Sequence, residues 1–213
     1  LLKAICGILP HGGSCMLEGS RLEDLSVRQL ARLCSYIPQR SGISIDISAL
    51  DVVLMGFNPQ LGLLQRPSEH MYEAAGRALK QVGLEGREEE NYLHLSEGQK
   101  QLCILARTLV TQSKLLLLDE PESALDFRYR YRMLQIIHNW VKETGMGAIA
   151  TLHDPGLALN YCDRILLLHE GRLLGCISPK EDDLSYMEAL LRQVYGPVSL
   201  TRVMNRSGHG QLA

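Results

Sequence analysis

Two neighbouring carboxylates are the strongest chemical signal in the sequence. Asp119 and Glu120 directly follow Leu115–Leu118, an apolar run that predicts a buried strand. In α/β sheets, ligands bind at the carboxyl ends of the strands. One carboxylate at such an end can hold Mg²⁺ while the next polarises an attacking water, as phosphate chemistry requires. Two acids that simply leave a strand into solvent would fit this pair of residues equally well.

A helix start with an accessible backbone lies upstream of these acids. Leu95–Gln99 reads LSEGQ, and Ser96 and Gln99 have the spacing of a capping box. Gly98, next to Glu97, would let a phosphate approach the backbone, and the N–H groups and dipole of a helix N-terminus favour an anion. Taken alone, a capping box most often marks only the start of a helix.

Three further segments place polar side chains at the ends of predicted elements. Gln39 follows the predicted strand Cys34–Pro38, where it is either a ligand for a metal ion or water, or an ordinary loop residue. His153 follows the predicted strand Ala148–Thr151, so it is expected at the same sheet edge as the two acids. This position favours a catalytic over a structural histidine. Ser123–Asp126 follows the acids after a proline.

Composition and charge exclude several classes of protein. The 213 residues are 46% hydrophobic and 22% charged, which is enough apolar material for a sizeable core and argues against disorder. The formal net charge of −2 provides no basic field for nucleic acid or an anionic membrane surface. The apolar runs fall far short of the roughly 20 residues that span a bilayer, and we expect no export signal at the start of the chain.

The cysteines are scattered, and no two of them form a C-x-x-C pair. We therefore expect reduced, buried thiols, with neither a disulfide framework nor a zinc site. No chemistry is expected of Cys103 or Cys162. The six positions are Cys6, Cys15, Cys34, Cys103, Cys162 and Cys176.

The elements that must position the chemical residues alternate between strands and helices. Because the predicted strands are apolar throughout, they indicate an α/β fold with a mostly parallel sheet that is covered on both faces. Strands are predicted at Leu115–Leu118, Ala148–Thr151 and Arg164–Leu168, and helices at Gln99–Thr111, Arg128–Glu143 and Gly156–Tyr161.

Two regions depart from this alternation. Helical spacing predicts a helical sub-lobe inserted at about residues 41–110, with helices at Leu50–Phe57 and Glu69–Val82. A tail at about residues 181–213 contains one predicted helix, Leu184–Tyr195, and then loses any pattern.

The motifs and their order along the chain resemble those of the nucleotide-binding subunits of ABC transporters. The resemblance extends from Leu1 to about Ser178. Leu95–Gln99 is similar to the family's LSGGQ signature, with Glu97 in place of a glycine, a substitution that the family tolerates. The other matches are Gln39 to the Q-loop glutamine, Leu115–Asp119 to the Walker B strand, Glu120 to the catalytic base, Ser123–Asp126 to the D-loop and His153 to the H-loop histidine.

The resemblance implies a P-loop NTPase-like α/β fold in a single ABC-type domain over residues 1–213. It also implies ATP and Mg²⁺ as cofactors. Two such subunits would meet head to tail as a homodimer. Each ATP would lie between the phosphate loop of one chain and Ser96, Glu97, Gly98 and Gln99 of the other, with Asp126 at the same nucleotide.

The resemblance also assigns roles in hydrolysis. Asp119 would coordinate Mg²⁺, and Glu120 would activate the attacking water. Gln39 would be a ligand of the metal ion, sense the γ-phosphate and pass the change in its state to the helical sub-lobe. His153 would contact the γ-phosphate.

One motif of the family does not occur in these 213 residues, namely the phosphate loop G-x-x-x-x-G-K-[ST]. Leu1–Leu9 resembles the residues that follow this loop in the family. The sheet is expected to lack the phosphate-loop strand, which in the family lies between the strand before His153 and Arg164–Leu168. Because this loop holds the β- and γ-phosphates, we expect the 213 residues to bind ATP very weakly and not to hydrolyse it, whereas the intact parent would be an ATPase.

Partners at a membrane are implied as well. Permease subunits would dock on the sub-lobe around Ser48–Leu64, hold the protein at the cytoplasmic face of the inner or plasma membrane, and connect it indirectly with a substrate-binding protein. Met55–Phe57 followed by Pro59 is similar to the sub-lobe of importers of iron–siderophore, haem and cobalamin, which favours import of a metal chelate. The apolar side chains that would form the docking surface are equally consistent with sub-lobe core, and they are Leu54, Met55, Phe57, Leu61, Leu63 and Leu64.

Two other functions stay open at this point. The first is a non-transport ABC ATPase, although such proteins usually carry two cassettes or long coiled-coil insertions. The second is a non-catalytic remnant that dimerises or binds a partner. The absent phosphate loop favours this second function, whereas the intact acids, glutamine and histidine argue against it.

Overall fold

The computed structural model describes residues 1–39, 42–62, 64–123, 125–204 and 210–212. The chain divides into two compact units, Leu1–Thr151 and Leu152–Ala213. Among the described helices, none combines the length and the apolar composition that crossing a membrane requires.

The first unit contains both helices and strands. Its helices are α1 (Leu2–Ile5), α2 (Val27–Leu33), α3 (Ala49–Leu54), α4 (Glu69–Val82), α5 (Glu97–Thr111) and α6 (Phe127–Thr144). Its strands are β1 (Met16–Leu17), β2 (Ser20–Arg21), β3 (Cys34–Ile37), β4 (Leu115–Asp119) and β5 (Gly147–Thr151). Short 3₁₀ turns lie at Leu22–Asp24, Met55–Phe57 and Tyr92–His94.

Strands β3, β4 and β5 form a parallel sheet in that order, with β4 in the middle. Successive side chains of a strand point to opposite faces, so the burial of all of Leu116–Leu118 shows that both faces of β4 are covered. The register pairs Ile37 with Leu118 and Asp119 with Thr151, which brings the carboxyl ends of the strands to one edge. The parallel sheet predicted from the leucine run and the strand after it is confirmed.

The predicted helical sub-lobe contains α3, α4 and α5, which share one core with the sheet. Helix α4 spans the predicted residues, whereas the predicted helix Leu50–Phe57 divides into α3 and a 3₁₀ turn. Gly56 in this turn lies against α5, where a Cβ atom would be 2.2 Å from the carbonyl oxygen of Arg107. The turn therefore needs a residue without a side chain.

Half of the six side chains that were a candidate docking surface belong to the core or pack against it. Leu54 and Phe57 are 5% and 6% exposed, and Leu61 packs against the same core. Leu64 is 95% exposed, and Leu63 lies outside the described residues. The interpretation as sub-lobe core is therefore correct for Leu54 and Phe57, and Leu64 presents apolar surface.

Over its described residues, 152–204 and 210–212, the second unit contains two helices and two antiparallel strand pairs. Its helices are α7 (Pro155–Tyr161) and α8 (Leu184–Tyr195), and its strands are β6 (Ile165–His169), β7 (Arg172–Ile177), β8 (Arg202–Met204) and β9 (Gly210–Leu212). Helix α8 has the predicted bounds, and its Met187, Leu190 and Leu191 are buried in a core with Leu167 and Ile177.

Strand β6 corrects one prediction. The sequence predicts Arg164–Leu168 as a parallel strand, but β6 runs antiparallel to β7. The turn between them contains Glu170 and Gly171, whose φ angles of 47° and 75° are those of a tight hairpin. An apolar run looks the same in either kind of sheet, so the direction depends on this turn.

All six cysteines are free thiols, but their burial differs from the prediction. Cys34 and Cys103 are buried, whereas the other four are half-buried. Burial raises the pKa of the Cys103 thiol to about 12, which keeps it protonated and inert. Cys162 is half-buried rather than part of the core, and burial raises the pKa of its thiol as well.

Candidate functional site

The carboxyl edge of the parallel sheet brings together side chains from separate segments. The Nε2 atom of Gln39, just after β3, donates to Glu120 Oε2 at 2.8 Å and lies 3.2 Å from Ser123 Oγ. The Thr151 hydroxyl at the end of β5 accepts from the Glu120 backbone N (2.9 Å) and lies 3.3 Å from Asp119 Oδ1. We call Gln39, Asp119, Glu120 and Thr151 the acid cluster. The fold thus makes neighbours of the acids and the glutamine that the sequence singles out.

Asp119 is held by two groups that the sequence analysis missed. Tyr36 Oη donates to Asp119 Oδ2 at 2.7 Å, and Lys3 Nζ lies 3.9 Å from the same oxygen. Burial and, second, the hydrogen bond to Asp119 raise the pKa of Tyr36 well above its ordinary value, so this tyrosine stays a proton donor. The carboxylate is therefore oriented and has a positive charge nearby.

Glu120 has a strained backbone at the centre of the site. Its φ angle is 49°, in the left-handed region, which costs a non-glycine residue about 1–2 kcal/mol. The Thr151 hydroxyl binds its N–H, and the backbone N and hydroxyl of Ser123 both donate to its carbonyl at 3.1 Å. Residues whose strained backbone is held by surrounding contacts occur most often at functional sites.

Gln101 connects the sub-lobe with this site. Its Nε2 atom, on α5, donates to the Gln39 carbonyl at 3.0 Å. The residue is 5% exposed, and within the described part of the chain its Oε1 atom has no hydrogen-bond partner. In the sequence Gln101 reads as an ordinary helix residue, because its partner lies far away along the chain. The contact gives α5 a direct connection to the segment that follows β3.

The donor atoms of the acid cluster suit Mg²⁺. This ion prefers hard oxygen ligands, and Asp119 offers two carboxylate oxygens. The Gln39 amide nitrogen is engaged with Glu120, so its amide oxygen is the atom that would act as a ligand. The residues of the site therefore fit the ion that phosphate chemistry requires.

The start of α5 has the predicted capping box. Ser96 Oγ accepts from the Gln99 backbone N (3.3 Å), and Gln99 Oε1 accepts from the Ser96 backbone N (2.9 Å). The helix begins at Glu97, two residues earlier than predicted, and Glu97 forms an exposed ion pair with Lys100 (2.8 Å). The remaining first-turn N–H groups are those that a helix start can offer to an anion.

Gly98 is fixed by packing as well as by its place in the motif. A Cβ atom on Gly98 would lie 2.8 Å from the Tyr129 ring on α6. Real Cβ atoms do not approach so closely, so a larger residue would push the two helices apart. Glycine is therefore required here even without a phosphate, and its contact with nucleotide stays a prediction.

Asp126 and His153 each contact residues of their own unit. Asp126 caps α6, where its Oδ1 atom accepts from the Tyr129 backbone N (3.0 Å), and Ala124 of the segment Ser123–Asp126 lies outside the described residues. His153 is an exposed residue of the second unit, and its carbonyl oxygen accepts from Tyr195 Oη (3.5 Å). The roles of Asp126 and His153 at a nucleotide stay predictions.

Comparisons with known proteins support the same interpretation. A family model described as ABC transporter matches residues 1–123. The hemin import ATP-binding protein HmuV of Pseudomonas putida is 35% identical over 215 residues, which cover 98% of this chain and 81% of the relative. The protein of the same name from Methylobacillus flagellatus is 35% identical over 180 residues, which cover 81% of this chain and 66% of the relative. The chain thus spans just under two thirds of the Methylobacillus protein.

A solved structure has a similar fold. The structure of cbiO1 from Clostridium perfringens, part of the ABC transporter complex cbiONQ, matches with a TM-score of 0.73 and 26% sequence identity. The match covers 90% of this chain and 75% of that one. The chain therefore belongs to the ABC transporter family, among its ATP-binding subunits.

Proposed function

We propose that the intact parent of this chain hydrolyses ATP to power import by an ABC transporter. The observation that carries the proposal is the acid cluster, in which Gln39 is hydrogen-bonded to Glu120 beside Asp119 at the end of a buried parallel strand. Membership of the family supports the same reaction.

Hydrolysis needs a base that removes a proton from the attacking water, and Glu120 takes this role. The water oxygen attacks the γ-phosphorus, its proton passes to the Glu120 carboxylate, and the bond from the γ-phosphorus to the bridging oxygen of ADP breaks. The hydrogen bond from Gln39 fixes the direction of that carboxylate. Mg²⁺, when bound, supplies positive charge to the phosphate oxygens, and Asp119 and Gln39 are the residues that would hold it.

A second subunit completes the nucleotide site in this proposal. Its Ser96–Gln99 segment would present the N–H groups of a capped helix start to the phosphates, and its Asp126 would lie at the same nucleotide. His153 would contact the γ-phosphate from the chain that supplies Glu120. The support for the dimer is the family resemblance together with the geometry of the α5 start.

We also propose a cargo and a location. The relatives named above are hemin import proteins, so the cargo is a metal chelate, with haem as the first candidate. Permease subunits would hold the protein at the cytoplasmic face of the membrane and would themselves meet a substrate-binding protein. Leu64, the exposed apolar side chain of the sub-lobe, is the candidate contact with the permease.

The proposed reaction is tested by supplying the phosphate loop. A segment with the family's phosphate-loop pattern G-x-x-x-x-G-K-[ST] is fused ahead of Leu1, and ATP turnover is measured with Mg²⁺. We expect turnover in the fusion and none in the 213 residues alone. Glu120→Gln should reduce the rate of the fusion at least about 100-fold, because a positioned general base contributes at least that factor.

Glu89→Gln is the matched control, because it makes the same change at an exposed glutamate outside the acid cluster. Its rate should equal that of the unmodified fusion. A folded fusion without turnover would favour the non-catalytic module over the ATPase. Turnover that Glu120→Gln leaves unchanged would show that Glu120 is not the base.

A further inference from the structure

Three potential metal ligands meet at the base of the β1–β2 hairpin. His11, Cys15 and Glu23 each offer one ligand atom, and these atoms lie within 4.8 Å of one another. His11 Nε2 lies 3.7 Å from Glu23 Oε1. We call these residues the His–Cys–Glu cluster, and none of them belongs to the acid cluster.

The hairpin itself brings the thiol and the carboxylate together. Strands β1 and β2 pair Met16 with Arg21, and the Leu22 backbone N donates to the Cys15 carbonyl at 2.9 Å. This pairing places Cys15 beside Glu23, whose Oε1 atom accepts a hydrogen bond from the Cys15 backbone N (2.5 Å). The backbone thus fixes the carboxylate next to the sulfur-bearing residue.

The Gly12 carbonyl oxygen is placed to orient the His11 ring for metal binding. His11 Nδ1 lies 3.2 Å from the Gly12 carbonyl oxygen. With the ring proton on Nδ1, this contact would leave Nε2, the atom near Glu23, as the ligand for a metal ion. Metal-ligating histidines are typically oriented in this way by a hydrogen bond from the other ring nitrogen.

We propose that the His–Cys–Glu cluster binds a divalent metal ion, with Zn²⁺ as the best fit. Imidazole nitrogen, thiolate sulfur and carboxylate oxygen are all Zn²⁺ ligands, and bonds of about 2.0–2.3 Å in a tetrahedral site place such atoms roughly 3.3–3.8 Å apart. The 3.7 Å between His11 Nε2 and Glu23 Oε1 is within a few tenths of an ångström of the roughly 3.3–3.5 Å expected for a nitrogen and an oxygen on one tetrahedral Zn²⁺. The Cys15 sulfur lies within 4.8 Å of the other two ligand atoms, so the three side chains would draw together on an ion.

Charge and space around the cluster are compatible with an ion. The thiolate of Cys15 and the carboxylate of Glu23 balance the two charges of Zn²⁺, and Arg21 lies 3.9 Å from the other carboxylate oxygen, Oε2. His11 and Glu23 also line a hollow of about 430 Å³. This hollow gives a water molecule access to the fourth position. The bound ion would tie the segment after α1 to the hairpin.

The test uses the metal alone. The protein is freed of metal with a chelator and titrated with Co²⁺, whose spectrum reports its ligands, and Zn²⁺ then displaces the Co²⁺. We expect a thiolate-to-cobalt charge-transfer band, visible bands of a four-coordinate site, one equivalent of Zn²⁺ and a higher Tm with Zn²⁺. Cys15→Ser and His11→Ala should abolish the spectrum or weaken Zn²⁺ binding at least about 10-fold.

Cys176→Ser and His70→Ala make the same changes at residues outside the cluster and should leave Zn²⁺ binding unchanged. Cys15→Ser replaces one sulfur by oxygen, so its metal-free Tm should equal that of the wild type. The proposal is overturned if the thiolate band is absent, if it persists in Cys15→Ser, or if Cys176→Ser removes it equally. Binding that no variant alters would show an adventitious ion only.

Discussion

The residues of the acid cluster and those at the start of α5 are positioned by different kinds of contact. In the acid cluster, residues far apart in the sequence hold one another, as Gln39 does with Glu120 and Thr151 with the Glu120 backbone. At the start of α5, Ser96 and Gln99 bind each other's backbone within one helical turn. One region depends on the tertiary fold and the other on local chain geometry.

This difference matches what each region would contribute to hydrolysis. A base and a metal ligand act through side chains, whose directions are fixed only by partners elsewhere in the fold. A helix start acts through backbone N–H groups, whose directions follow from the helix itself. Mutations in the acid cluster should therefore change how side chains are positioned, whereas mutations at the start of α5 should change whether the first turn forms.

Gly98→Ala tests how closely the start of α5, whose capping is local, is packed against α6. The added Cβ would lie 2.8 Å from the Tyr129 ring, so we expect the free energy of unfolding to fall by about 2 kcal/mol through overpacking. The measurement is the midpoint of urea denaturation. The double variant Gly98→Ala/Tyr129→Leu replaces the ring by a smaller side chain, so it should recover part of the lost free energy of unfolding.

Gly76→Ala is the control for this change, because within the described structure a Cβ at Gly76 of α4 meets no atom within 4 Å. Alanine in a helix interior is favoured over glycine, so Gly76→Ala should stabilise the protein by roughly 0.5–1 kcal/mol. If Gly98→Ala were equally stabilising, contact with α6 would not constrain the helix start.

Tyr36→Phe tests the acid cluster. Removing the hydrogen bond to Asp119 should lower the free energy of unfolding by about 1.5 kcal/mol near neutral pH, since bonds to charged groups contribute that much. The pKa of Tyr36 is higher in the folded protein than in an unfolded chain. Its contribution is therefore complete below about pH 10 and is lost as the pH rises further.

The expected signature is a pH dependence. Between about pH 9 and pH 11, the wild type should lose stability more steeply than Tyr36→Phe, as measured by denaturation at each pH. Tyr72→Phe, at an exposed tyrosine of α4, controls for the loss of one phenol. Parallel curves for the wild type and Tyr36→Phe would show that the contact with Asp119 does not hold the cluster.

The difference between local contacts and contacts of distant segments also explains which features the sequence can predict. The bounds of α4 and the capping box of Ser96 depend on residues a few positions apart, and both agree with the structure. The strand that carries Asp119 and Glu120 is also predictable, because four leucines in a row leave few alternatives to a buried strand.

The rest depends on contacts that no local pattern encodes. Lys3 and Tyr36 reach Asp119 only because the sheet and α1 bring distant segments together, and Gln101 reads as an ordinary helix residue. The direction of β6 depends on the turn at Glu170, which an apolar run does not reveal. The His–Cys–Glu cluster has no sequence motif such as a C-x-x-C pair, because the pairing of β1 with β2 brings its residues together.

Ser96→Ala has the smallest expected effect and completes the comparison. It removes the bond from the Gln99 backbone N to Ser96 Oγ but keeps the bond from the Ser96 backbone N to Gln99 Oε1, so we expect a loss of about 1 kcal/mol. Ser68→Ala is the control, because in the described structure the Ser68 side chain makes no capping bond to α4. It should lose much less stability than Ser96→Ala.

The double variant Ser96→Ala/Tyr36→Phe then measures how separate the two regions are. If the helix start is prepared locally and the acid cluster by the tertiary fold, the two losses should add to within about 0.5 kcal/mol. A larger interaction energy would mean that α5 transmits the state of its first turn to the acid cluster. Gln101, which joins α5 to Gln39, is the contact that would carry it. Adding Gln101→Leu should then remove the interaction energy without changing the effect of either single substitution.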